Sequence, residues 1–74
     1  MTWKQKQYLL GYLGYYTGEV DGIWGNGSRS AGIRFQQDHG LALDEEFGKQ
    51  SEKKIVEVIG KGELPEKTDF WNEI

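Results

Sequence analysis

The chain has no cysteine, a single histidine and no long apolar run. Without cysteine it can form neither a disulfide nor a thiolate metal site. The redox compartment stays open, because many secreted proteins also lack cysteine. One histidine alone cannot build the usual zinc ligand set, so no metal and no cofactor are expected. No stretch approaches the roughly 20 apolar residues that cross a bilayer, so no membrane partner is expected. The opening residues, Met1-Thr2-Trp3-Lys4-Gln5-Lys6-Gln7, lack the apolar stretch of a signal peptide. Excess positive charge is missing too. Nine basic side chains stand against 12 acidic ones, a net charge of -3. Nucleic-acid binding needs a basic stripe to neutralise phosphates, so that class of partner is not expected.

Glycine and aromatic residues are plentiful. There are 11 glycines in 74 residues, and aromatics make up 14%. Many glycines imply turns with unusual backbone angles. Many aromatics either fill a small core or offer rings to a ligand. The length suits one domain with a thin core.

Trp3, Gln7, Leu10 and Leu13 recur at helical spacing and predict a helix from Trp3 to about Leu13, with Tyr8, Leu9 and Tyr12 on its other faces. Gly14 is placed to end it. Residues 14–27 hold five glycines and the turn signal Asp21-Gly22, which excludes a regular element. Asn26 and Ser28 are candidate N-caps of a second helix through about His39, with Ala31, Phe35 and Ile33 facing inward. Gly40 fits its C-terminal cap. A third helix is predicted from about Gln50 to Ile59, with Ile55, Val58 and Ile59 inward. The expected architecture is all-α: a compact three-helix bundle with two ordered, glycine-rich loops. Residues 1–62 form the domain, and residues 63–74 read as a linker or the start of a following domain.

The two loops repeat each other. Asp21-Gly22-Ile23-Trp24-Gly25-Asn26-Gly27-Ser28 aligns with Asp44-Glu45-Glu46-Phe47-Gly48-Lys49-Gln50-Ser51 at an offset of 23 residues. Both read Asp, two residues, aromatic, Gly, two residues, Ser. The Asp carboxylate is expected to accept backbone N–H groups in a tight turn. The aromatic plugs the core, Gly takes an angle other residues resist, and Ser opens the next helix, capping it or bonding back toward the Asp.

These residues resemble the peptidoglycan-binding-domain-like family. The pattern runs through Gln7, Leu10, Leu13-Gly14-Tyr15-Tyr16, Gly18, Val20-Asp21-Gly22-Ile23-Trp24-Gly25, Ser28, Ala31, Phe35-Gln36, Gly40-Leu41, Leu43-Asp44, Phe47-Gly48 and Ser51. The resemblance implies a three-helix fold that binds bacterial cell-wall peptidoglycan beside a fused or neighbouring hydrolase domain, as in autolysins, spore-cortex enzymes and phage endolysins. It places the action at the bacterial cell wall, extracellular or released by phage lysis. A monomer is expected. Lys6, Gly32, Glu45-Glu46 and Lys54 depart from the pattern. Gly32, where an aliphatic residue is usual, could admit another backbone or a ligand.

Catalytic chemistry finds little support. His39 lies near a helix C-terminus, where a cation is favoured by the dipole, and reads as a solvent-facing or capping residue. Asp21 and Asp44 have a structural task in the matching turns, and neither loop has calcium-loop spacing. Ser28 and Ser51 lack a histidine in triad-like order. No enzyme activity, no catalytic residue and no metal ligand is therefore expected.

Binding needs less. Peptidoglycan offers sugar faces, N-acetyl groups and peptide carboxylates, which suit aromatic rings, amides and Arg or Lys respectively. Tyr12, Tyr15 and Tyr16 lie at or past the end of the first helix, Asn26 and Arg29 at the start of the second, and Arg34 further along it. These six are the expected ligand-binding residues, lining a groove between the first helix and the first loop. Whether glycan strand or stem peptide is recognised stays open. Core readings compete for Tyr15 and Trp24, and solvated helix charges are the plainer reading of Arg29 and Arg34. The alternative function is a structural or protein-interaction domain that packs on and orients a partner catalytic domain, for which Phe70 and Trp71 would serve.

Overall fold

A computed structural model describes residues 1–60. Their regular elements are three helices, α1 (Trp3–Tyr12), α2 (Asn26–Asp38) and α3 (Lys49–Ile59). No strand occurs among the described residues, so the fold is the all-α three-helix one. The expected boundary at residue 62, and Phe70 and Trp71 beyond it, lie outside the described residues.

α1 begins at a reciprocal cap. Thr2 Oγ1 accepts the Gln5 N–H at 3.1 Å, and Gln5 Oε1 accepts the Thr2 N–H at 2.7 Å. Two of the orphan donors at the helix start are thereby satisfied. The helix ends at Leu13, and Gly14 follows with φ 89°. Gly40 closes α2 in the same left-handed way at φ 68°, a conformation that costs a residue with a Cβ about 1 kcal/mol or more.

α1 packs against both other helices, which widens its buried strip. Gln5, Lys6, Gln7, Leu9 and Leu10 are all buried on it. The predicted face is corrected accordingly: Leu9 belongs to the core, whereas Trp3 is 41% exposed. Ile55 and Ile59 face inward from α3, but Val58 is exposed and half-buried Val56 packs on the core in its place. Ile33 is half-buried rather than inward. The centre is Leu9, Leu10, Ala31, Phe35, Phe47, Ile55 and Ile59, ringed by Leu13, Tyr15, Tyr16, Trp24, Leu41 and Val56.

Gly32 explains its own departure from the family pattern. A Cβ there would sit 3.1 Å from Cδ1 of the fully buried Phe47 ring and 3.5 Å from Trp24 Cζ2. An aromatic side chain, not a backbone or a ligand, occupies the space. Gly32→Ala gains about 1 kcal/mol of helix propensity but pushes on a ring with nowhere to go, a cost of about 1–3 kcal/mol. The expected net effect, read by urea denaturation, is a loss of about 1 kcal/mol. A gain would show that the ring yields freely.

Lys6 is likewise accommodated. Its side chain is buried along the stem, while Nζ donates to the Glu46 carbonyl at 3.0 Å and lies 3.7 Å from the Glu52 carboxylate. The ammonium also stands 4.2 Å over the Trp3 ring. A lysine can occupy an apolar position in this way because its methylenes pack while its head finds oxygen at the rim.

Candidate functional site

The matching turns set the geometry of everything around them. Asp21 Oδ1 accepts the Ile23 N–H at 2.9 Å, and Asp44 Oδ1 accepts the Glu46 and Gly48 N–H groups at 2.9 and 3.3 Å. The carboxylates act as the sequence suggests. The glycines and serines act differently. Gly25 (φ -93°, ψ -163°) and Gly48 (φ -73°, ψ -163°) have ordinary extended backbone and are themselves the N-caps, without side-chain hydrogen bonds. Asn26 and Ser28 therefore lie inside the first turn of α2 and do not cap it. The left-handed residue of the second turn is Phe47, at φ 52°.

Ser28 and Ser51 are buried and reach the aspartates through an intermediary. Gln7 Nε2 donates to Ser28 Oγ (2.9 Å), the Ile23 carbonyl (2.9 Å) and Asp21 Oδ1 (3.2 Å), while its Oε1 accepts the Gly22 N–H at 2.8 Å. Gln36 repeats the arrangement. Its Nε2 donates to Ser51 Oγ (2.7 Å) and Asp44 Oδ2 (3.3 Å), and its Oε1 accepts the Asp44 N–H at 3.0 Å. Each turn is thus clasped by a fully buried glutamine of the preceding helix. Such networks hold a unique geometry because every buried polar atom in them is satisfied.

The Ile23 N–H bond, aided by Gln7, holds the Asp21 carboxyl below its ordinary value of 3.8. Asp21 therefore stabilises the fold above its unfolded value, and that contribution is lost as pH falls through the depressed folded value. In acid titrations between about pH 5 and pH 2, Asp21→Asn should show a shallower loss of stability than the parent chain. An unchanged slope would contradict this role for the turn.

Between the two clasps, α2 presents an outer face of Asn26, Arg29, Ser30, Ile33 and Arg34. These residues recur one helical turn apart and so share one side of the helix. Together with Glu45 of the second loop they line an open groove of about 440 Å³. Arg29 is fixed in it: its guanidinium donates to the Trp24 carbonyl at 3.1 Å and to Asn26 Oδ1 at 2.7 Å. Glu45 is anchored by its carbonyl, which accepts Trp24 Nε1–H at 2.7 Å. Trp24 thereby joins the two walls. Its ring lies between Trp3 (5.1 Å) and Phe47 (6.3 Å) and is partly buried, as its place in the repeat requires.

Of the six residues singled out in the sequence, Asn26, Arg29 and Arg34 come together in this groove. The three tyrosines do not line it. Tyr15 is half-buried, edge-on to Phe35 at 5.6 Å, and its hydroxyl donates to Asp38 Oδ2 at 2.6 Å. That hydrogen bond raises its pKa. Its ring still matters to the site, because the Arg34 guanidinium stands 6.0 Å from its centre. Tyr16 donates to the Glu19 carbonyl at 2.5 Å and braces the first loop. Tyr12 is 53% exposed on the last turn of α1. The groove accordingly runs along α2 toward the second loop, not between α1 and the first loop as expected. Ser30, Ile33 and Glu45 complete it. The first two could have been found from helical spacing around Arg29 and Arg34; Glu45 stands out in the sequence only as a departure from the family pattern.

His39 is the C-terminal cap residue of α2, edge-on to Phe35 at 4.3 Å, rather than solvent-facing. Among the described residues, no three His, Cys, Asp or Glu side chains gather closely enough to hold a metal.

Comparison with known proteins agrees with this architecture. The family model described as "Putative peptidoglycan binding domain" matches residues 2–55. A spore cortex-lytic enzyme of Oceanobacillus iheyensis is 37% identical over 52 residues, covering 70% of this chain and 19% of that protein. A spore cortex-lytic enzyme of Bacillus cereus is 39% identical over 52 residues, covering 70% of this chain and 20% of that one. The matched region spans about a fifth of the length of these curated relatives. No solved structure matches the chain. With three helices, twin aspartate turns and a family match over most of its length, the chain belongs to the family of peptidoglycan-binding domains.

Proposed function

We propose that this chain binds bacterial cell-wall peptidoglycan without cleaving it, and holds an attached cell-wall hydrolase on its substrate. The observation that carries the reading is the α2 groove, where Asn26, Arg29 and Arg34 stand at an open surface beside Glu45. Guanidinium groups pair well with carboxylates, and peptidoglycan peptides carry them. Tyr15 backs Arg34, whereas Tyr16 braces the first loop and Tyr12 lies outside the groove. The relatives are named as lytic enzymes and match over only about a fifth of their length, so a catalytic part elsewhere fits this division of labour. A tethered module raises the effective concentration of its neighbour at an insoluble substrate, so one weak site suffices. In this reading residues 1–62 are the binding unit, and residues 63–74 are a linker or the start of a following domain.

The isolated chain should co-sediment with purified peptidoglycan, release neither sugar nor peptide, and fail to sediment with chitin or DNA. Retention by all three polymers would overturn the reading. So would a fall in wall turbidity on adding the chain alone. A second reading, a domain that orients a catalytic partner by packing on it, draws on the exposed Val20 and Ile23 of the first loop, the latter 70% exposed. It predicts instead that sedimentation is absent and that Ile23→Ser disturbs the parent enzyme.

A further inference from the structure

The charges in the groove are not neutralised by one another. Arg29 is held by two neutral acceptors, a carbonyl and an amide oxygen. Arg34 stands over the Tyr15 ring, and the nearby Asp38 carboxylate is engaged by the Tyr15 hydroxyl. Among the described residues neither arginine forms an ion pair within 4 Å, and neither does Glu45. Two cations and one anion thus line a single cleft without closing on each other. Ile33 adds an apolar side chain to the same wall. Among the described residues no aromatic ring lines the groove, so they offer no stacking surface for a sugar face. Its volume of about 440 Å³ is at the small end of ligand pockets, which suits a peptide end better than a glycan strand.

The geometry points to a zwitterionic ligand: the groove takes an amino-acid end of the stem peptide that carries a free carboxylate and a free ammonium together. The carboxylate pairs with Arg29 and Arg34, the ammonium with Glu45, and the aliphatic stem lies on Ile33. This rests on the wall-binding reading above and adds to it a choice of peptide over glycan. It also makes the domain sensitive to cross-linking, because acylation of the amine in a cross-link removes the charge that Glu45 recognises. Uncross-linked wall would hold more of the protein than cross-linked wall.

The test is an amide chemical-shift titration of the chain with four soluble wall fragments. The first is a disaccharide–peptide whose diamino acid keeps both charges. The second is N-acetylated at that amine, the third amidated at that carboxylate, and the fourth is the peptide-free disaccharide. The first should shift the amides of Asn26, Arg29, Ile33, Arg34 and Glu45. Either modification should weaken it about tenfold, the effect of one charge-assisted pair. The disaccharide should leave these amides in place. Glu45→Gln should weaken the first fragment about tenfold and leave the N-acetylated one unchanged. The inference falls if the modified fragments bind equally well, if the disaccharide shifts the same amides, or if no fragment shifts them. Co-sedimentation with intact peptidoglycan, run alongside, separates the two levels. If it persists, only the zwitterion assignment is lost; if it is absent, the wall-binding reading fails as well.

Discussion

Phe47→Ala should remove a large share of the fold's stability at 25 °C. The ring is fully buried, 5.5 Å from Phe35 and 6.3 Å from Trp24, and it fills the hollow over Gly32. Removing such a ring costs about 3–5 kcal/mol. A unit of this size has roughly 3–9 kcal/mol to lose, and no disulfide supports it. The backbone sharpens the test. Phe47 sits at φ 52°, a left-handed conformation that an L side chain resists by about 1–2 kcal/mol. Alanine keeps that strain, whereas glycine relieves it. Phe47→Gly should therefore be no less stable than Phe47→Ala by urea denaturation, despite its freer unfolded chain. A glycine variant clearly weaker than the alanine one would mean that the turn stores no strain.

Gln36→Leu should cost about 3 kcal/mol, although it places an apolar side chain in a buried site. The amide satisfies Ser51 Oγ, Asp44 Oδ2 and the Asp44 N–H together. Leucine leaves them unmatched. Asp44 is exposed and can turn to water, but Ser51 is buried, and an unsatisfied buried group costs about 1–3 kcal/mol. Gln36→Glu should be no better, since a carboxylate cannot donate to Ser51 and would face the Asp44 carboxylate. Hydrogen exchange at the Asp44 amide gives the local readout: strong protection in the parent chain, near-complete loss in Gln36→Leu. Retained protection would show that the turn closes without its clasp.

The three helices were legible because apolar spacing and glycine punctuation agree, with ends within one to three residues. The twin turns were legible because Asp21 and Asp44 recur at fixed distance from an aromatic residue. The clasps were not. Gln7 lies 14 residues before Asp21 and Gln36 lies 8 before Asp44, so no fixed offset betrays them. The Thr2-x-x-Gln5 capping box, by contrast, is a local signature written in the sequence. The extended angles of Gly25 and Gly48, and the left-handed one of Phe47, arise from how each loop meets the core; local sequence does not encode them. In the groove, Asn26, Arg29 and Arg34 follow from helical spacing. Glu45 does not, because it arrives from another loop through its bond to Trp24.

The most direct measurement is the bound fraction of an Arg29→Glu, Arg34→Glu double variant on insoluble peptidoglycan, beside the parent chain and Tyr12→Ala, with circular dichroism to verify folding. A groove on α2 that holds the wall predicts a folded double variant left in the supernatant, weakened at least about tenfold, while Tyr12→Ala pellets like the parent. A folded double variant that still pellets, with Tyr12→Ala released, would contradict it and move the contact to the end of α1.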